Sequence, residues 1–96
     1  MRIIFCPLLT DKVLTVRKRG DVLTINGERF DFRPMPDNST LPPSAVACEW
    51  IDHEIKKISG ELEITIRLPF SSESSEAVRF PADLFNPPDG KLVLPT

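Results

Sequence analysis

His53 is the chain's single histidine, and it stands in Asp52-His53-Glu54, between two carboxylates that could raise its basicity or share a metal ion with it. Read as strand residues, the three point to alternating faces, so that only Asp52 and Glu54 converge and His53 faces away from both. A surface histidine is the expectation. Cys48 lies close by in sequence, but a Cys-His nucleophile needs hydrogen-bond reach, and the pair would be about 16 Å apart along an extended chain. Cys6 and Cys48 are the two cysteines, with neither the C-x-x-C spacing of a redox or zinc site nor the density of a disulfide scaffold. Two buried thiols are expected, with a single disulfide as the alternative.

The chain has 14 carboxylate side chains, but paired acid-base chemistry needs two of them in one cleft, one with a raised pKa. Glu61 and Glu63 share a strand face, and it is the polar one, which reads as a solvated pair. Ser71-Ser72-Glu73-Ser74-Ser75 lacks a G-x-S-x-G elbow, and no glycine-rich run opens a helix to cradle phosphates. The residues therefore lead to a non-enzymatic protein with no cofactor and no metal. Arg17-Lys18-Arg19, near Phe30 and Phe32, could serve a single-stranded nucleic acid through cations and exposed rings. Alternation instead places both phenylalanines on the apolar face with Leu23 and Ile25, and an acidic chain lacks the usual basic footprint, so nucleic acid is not an expected partner. Candidate protein-contact residues are Trp50 together with Met35 and Leu41 of a proline-flanked loop. Tryptophan is enriched at binding hot spots, although Trp50 as a core residue is the competing reading.

These groups must be positioned by short elements. Ten prolines against four glycines in 96 residues favour short strands joined by stiff connections. The length suits a single all-β domain over residues 1–96. Ile3, Ile4 and Phe5, next to Pro7, suit a short first strand on a sheet edge. Leu14 and Val16, then Leu23 and Ile25, then Phe30 and Phe32 recur with period 2, and Lys18-Arg19-Gly20-Asp21 and Asn26-Gly27 supply turns for a three-stranded meander.

Residues 33–43 hold four prolines, so no ladder is expected through them, and Ser44 could cap one helical turn before Cys48–Ile51 returns to extended structure. From Glu61 to Phe70, Leu62, Ile64, Ile66, Leu68 and Phe70 alternate with polar residues or proline, the strongest strand pattern in the chain, with its outer face toward water. Short strands follow at Val78–Phe80 and at Leu92 and Leu94. The fold expected is mainly β: a small antiparallel sheet of hairpins and meanders folded as a compact sandwich or partly open barrel, with at most one or two short helical turns. Charge is uneven, +3 over residues 1–33 and −5 over the remainder, which in a folded domain reads as a mixed solvated surface. The apolar run from Ile3 to Leu9 is too short for a secretory signal or a membrane span.

Leu23-Thr24-Ile25-Asn26-Gly27-Glu28, Asp31-Phe32, Thr40-Leu41-Pro42, Gly60-Glu61-Leu62, Leu68-Pro69, Arg79-Phe80-Pro81 and Leu94-Pro95 resemble small proteins encoded by tailed bacteriophages and prophages, often near tail genes. The likeness is scattered from about residue 14 to the end of the chain and rests on turn and strand residues, so it carries no activity to any position. It implies a setting: the cytoplasm of a bacterial host or the virion, and a phage structural or assembly protein as partner, through a minor tail component or a tail-assembly accessory. A phage-encoded modulator of a host protein is the alternative.

Overall fold

The computed structural model describes residues 1–71 and 81–94. Among these residues nine strands form two sheets: β1 Arg2–Leu9, β2 Val16–Arg19, β3 Val22–Ile25, β4 Glu28–Asp31, β5 Ser39–Leu41, β6 Ile55–Ile58, β7 Glu61–Phe70, β8 Leu84–Phe85 and β9 Gly90–Lys91. The first sheet runs β5-β6-β7-β1-β8 and the second β4-β3-β2-β9. The chain is mainly β, as its alternating pattern requires, and one 3-10 turn at Pro43–Ala45 is the helical element among the described residues. No helix among them is long and apolar enough to cross a membrane.

The second sheet is the meander expected from the turn residues. Asn26 and Gly27 both take positive φ, 48° and 83°, the pair of left-handed residues that a two-residue hairpin needs to match strand twist. Asn26 does more than turn the chain. Its Oδ1 accepts the Thr15 N–H at 2.7 Å and its Nδ2 donates to the Val13 carbonyl at 3.0 Å, tying the entry of β2 to the far hairpin. Ser59 and Gly60, at φ 50° and 79°, repeat the device between β6 and β7.

β7 holds the first sheet together. Leu62, Ile64, Ile66 and Leu68 are buried, while Glu63, Thr65, Arg67 and Pro69 on the opposite face are half-exposed. β1 pairs with β7 in parallel from Arg2↔Glu63 to Leu9↔Phe70, setting Ile3 beside Ile64 and Phe5 beside Ile66 on the inward side. From the second sheet come Val16, Leu23, Ile25 and Phe30, with Phe32 just past the end of β4, and together these residues form one buried cluster. This is the layered packing that lets two half-apolar sheets hide their inner faces from water.

Several local expectations are corrected. β1 is longer than a short edge strand and has β7 on one side along its whole length, with β8 on the other at Arg2 and Ile3. Pro7 is tolerated because the Thr10 N–H bonds the Phe70 carbonyl, and counting back by alternation turns the donorless nitrogen of Pro7 away from β7. The proline-rich segment does contain a strand. Ser39, Thr40 and Leu41 lie between Pro36 and Pro42, retain their N–H groups and pair with β6. The 3-10 turn begins after Pro42 with no side-chain cap, so Ser44 does not cap it. Cys48–Ile51 is a turn closed by the Ile51 N–H on the Cys48 carbonyl at 3.2 Å, and not extended structure. The last strand lies at Gly90–Lys91, just before Leu92, whose N–H bonds Val16 O at 2.9 Å. The expected strand at Val78–Phe80 lies outside the described residues.

Ile64→Ala or Ile66→Ala is expected to lower stability by about 2–5 kcal/mol through lost burial and a residual cavity, whereas Thr65→Ala should cost about 1 kcal/mol or less. Urea melts of the three variants check this, and equal losses would contradict the register. Asn26→Ala combines a strained positive φ with the loss of the Thr15 and Val13 bonds, and should cost about 1–3 kcal/mol by the same measurement.

Candidate functional site

Past β4 the chain turns under local control. The Phe32 N–H bonds the Asp21 carbonyl at 3.0 Å and the Met35 N–H bonds the Phe32 carbonyl at 3.2 Å. The Arg33 guanidinium grips the Asp31 carboxylate at 2.7 and 2.9 Å. Asn38 takes φ 56°, a left-handed turn that asparagine accepts readily, and the chain re-enters the first sheet as β5. Met35 and Leu41 are thereby brought to one concavity of about 340 Å³ with Phe32, Pro34 and Pro36 along it. Phe32 is buried, while Met35 and Leu41 are half-buried and packed against the core from outside. β5 is the terminal strand of its sheet and pairs only with β6 among the described residues.

Trp50 does not join them. Its side chain is 4% exposed and belongs to the core, while its carbonyl accepts the Arg67 N–H at 2.8 Å. Together with Ile25, Glu28 and Cys48 it borders a concavity at the start of β4, whereas Met35 and Leu41 lie beyond that strand's end. As a contact residue Trp50 offers little surface, and the competing core reading describes it. The one signal for that was the adjacent Ile51, since Glu49 and Asp52 flank the pair. Phe30 and Phe32 are buried as alternation required, so neither is a stacking platform.

His53 is exposed, as expected, but its surroundings differ from a strand's. Its Nδ1 lies 2.6 Å from Asp52 Oδ1 because the chain bends at His53 and the two neighbours are not forced to opposite faces. Asp52 also accepts a hydrogen bond from Arg67 at 2.7 Å, and that bond, ahead of the His53 contact, lowers its pKa from the ordinary value. His53, Glu54 and Glu63 border an open concavity on the outer face of the first sheet. There Glu63 already accepts a hydrogen bond from Arg2 at 3.1 Å. Arg2 also holds Asp83 at 2.7 Å and lies over the Phe85 ring, so it clamps β1 to β7 and to the entry of β8.

The two cysteines are free and half-buried rather than fully buried. Desolvation raises the Cys48 thiol above its usual pKa, which reduces its thiolate fraction and its nucleophilicity. Among the described residues no three His, Cys, Asp or Glu side chains converge as metal ligands. No model of a protein family, no curated protein and no solved structure matches the chain.

The Asp31 carboxylate at the rim of the Met35–Leu41 concavity is lowered from 3.8 to about 2, first by the Arg33 side chain and then by the Arg33 backbone N–H. A depressed folded-state pKa contributes stability above the unfolded value, and that contribution is lost as pH falls through the folded one. Titration followed at the Asp31 carboxyl carbon by NMR should therefore show a midpoint near 2. The Asp31–Arg33 grip should hold at pH 4 and loosen below about 3.

Proposed function

We propose that this protein is a non-enzymatic domain that acts by binding another protein, in the tail structure or tail assembly of a bacteriophage or prophage. The observation that carries the binding role is the meeting of Met35 and Leu41 in one apolar concavity beside the terminal strand β5. Both side chains keep part of their surface in water although their neighbours belong to the core. Covering them with an apolar side chain of a partner would remove that surface from water at a gain of about 25 cal/mol per Å². The outer edge of β5, which pairs with β6 alone among the described residues, adds backbone donors and acceptors, and an extended segment of the partner could pair with them as an added strand. Four prolines stiffen residues 33–43, so little loop entropy is lost when the surface is covered.

The phage setting rests on the resemblance in the hairpin and strand residues, including Thr40-Leu41-Pro42 at this same surface. A binding role also suits Arg2 and Arg67, whose ion pairs with Glu63, Asp83 and Asp52 join parts of the fold.

Affinity purification of the tagged protein from phage-producing cells, followed by mass spectrometry of complexes and of purified particles, tests the reading. Recovery of one phage structural or assembly protein is expected, with Leu41→Glu or Met35→Glu weakening its capture by at least about tenfold while circular dichroism stays unchanged. Capture of a host protein in place of any phage protein would overturn the tail role. Variants that bind the phage partner as well as the native chain would remove this surface from the interaction.

A further inference from the structure

The outer face of the second sheet has a composition unlike the rest of the chain. Cross-strand register puts Lys91, Arg17, Thr24 and Arg29 in one row, with Arg19, Val22 and Asp31 in the next. With neighbouring strands about 4.8 Å apart, the backbones of Arg17 and Arg29 stand about 10 Å apart with Thr24 between them. Arg17, Arg19, Arg29 and Arg33 surround a concavity of about 800 Å³ over this face, with Thr24 and Val22 as its floor. In a chain of net charge −2, this is a local concentration of positive charge.

The two nearby carboxylates act on Arg19 and Arg29 through space but hydrogen-bond to other cations. Asp89 accepts hydrogen bonds from the Lys18 ammonium at 2.8 Å and from the Gly20 N–H at 3.0 Å. Asp31 is taken by Arg33 through both oxygens. Each acid is thus bound to its own cation. Arg17, Arg19 and Arg29 have no hydrogen-bonded or ion-paired carboxylate among the described residues. Arg17 is moreover directly opposite Lys91, a like-charge pair that costs stability in a ladder. Like charges gathered on a concave sheet face without partners are destabilising in isolation and are relieved by an anion.

We propose that this face is an anion site for a compact phosphate-bearing ligand, a di- or triphosphate group held between Arg17 and Arg29 above Thr24. Guanidinium forks match phosphate oxygens in pairs, and several arginines within one concavity supply more charge than a single carboxylate uses. A single strand of nucleic acid fits less well, because its bases stack on exposed rings and Phe30 and Phe32 are buried on the opposite side of the sheet. An acidic protein segment would find Val22 as the one apolar residue among those lining the concavity, too little to hold a peptide.

Isothermal titration calorimetry with inorganic tripolyphosphate at about 150 mM salt, where exposed charges beyond about 8 Å are screened, tests this site. Saturable binding is expected. Arg17→Gln and Arg29→Gln should each weaken it at least about tenfold, Arg17→Lys should fall between, since it keeps the charge and loses the fork, and Lys56→Gln on the first sheet should leave it unchanged. NMR titration of the unaltered protein guards against variants that fail to fold: the amides of Val22, Thr24 and Arg29 should shift together and saturate with the calorimetric constant. Absence of saturable binding, an equal loss in Lys56→Gln, or shifts centred on another surface would overturn the site. Tighter binding of a single-stranded oligonucleotide or a glutamate-rich peptide of equal charge would overturn the ligand class.

Discussion

The parallel ladder between β1 and β7 is the pairing on which the other contacts depend. It aligns Ile3 with Ile64 and Phe5 with Ile66, and so decides which face of the first sheet is offered to the second. Side chains alternate along both strands, so a slip of one residue would turn Ile64 and Ile66 outward and bring Glu63 and Thr65 into the core. Burying a carboxylate without a partner costs far more than the lost apolar contact returns. The register is also fixed from outside. Arg2 reaches Glu63 across the ladder and Asp83 beyond it, and a slipped β1 would lose both. The clamp is partly exposed, so its worth lies in selecting one alignment more than in bulk stability.

The ladder also explains why the strand edges differ in use. β6 covers β7 only at its beginning, from Glu61 to Glu63, and farther along the Trp50 carbonyl takes over by accepting the Arg67 N–H. A buried tryptophan therefore stands where a continuing strand would have been. Its carbonyl satisfies the backbone while its side chain is buried with the core. At the other end, β5 adds only three residues to β6, and the chain leaves the sheet at Pro42, which has no N–H to donate.

Elements whose local chemistry agrees with their tertiary surroundings were legible in the sequence. β7 follows its alternation from Leu62 to Leu68, and Asn26-Gly27 forms the turn its conformational freedom allows. Legibility ended where distant parts of the chain decide the outcome. Alternation in β1 and β7 does not distinguish a parallel from an antiparallel partner, and the entire β2–β4 meander lies between them. Three hydrogen-bonding residues among prolines sufficed for β5, a scale at which composition outweighs the pattern. At the candidate site, Met35 and Leu41 were recognisable as apolar residues in a polar loop, but their meeting depends on the Asn38 turn. The basic face was visible as Arg17-Lys18-Arg19, yet Lys18 belongs to Asp89, and the addition of Arg29 follows only from cross-strand register.

The position of β1 also determines how the protein can emerge during synthesis. β1 leaves the ribosome well before β7, and its partner is complete only when Phe70 has been added, roughly 60 residues later, which at about 5–20 residues per second is about 3–12 s. The β2–β4 meander can close on its own neighbours in that interval, since a hairpin needs only microseconds. Ile3, Ile4, Phe5, Leu8 and Leu9 cannot. The newborn chain thus holds out an apolar strand with unsatisfied backbone groups for a time long compared with any local folding event, the kind of segment that chaperones bind and that aggregates when they do not.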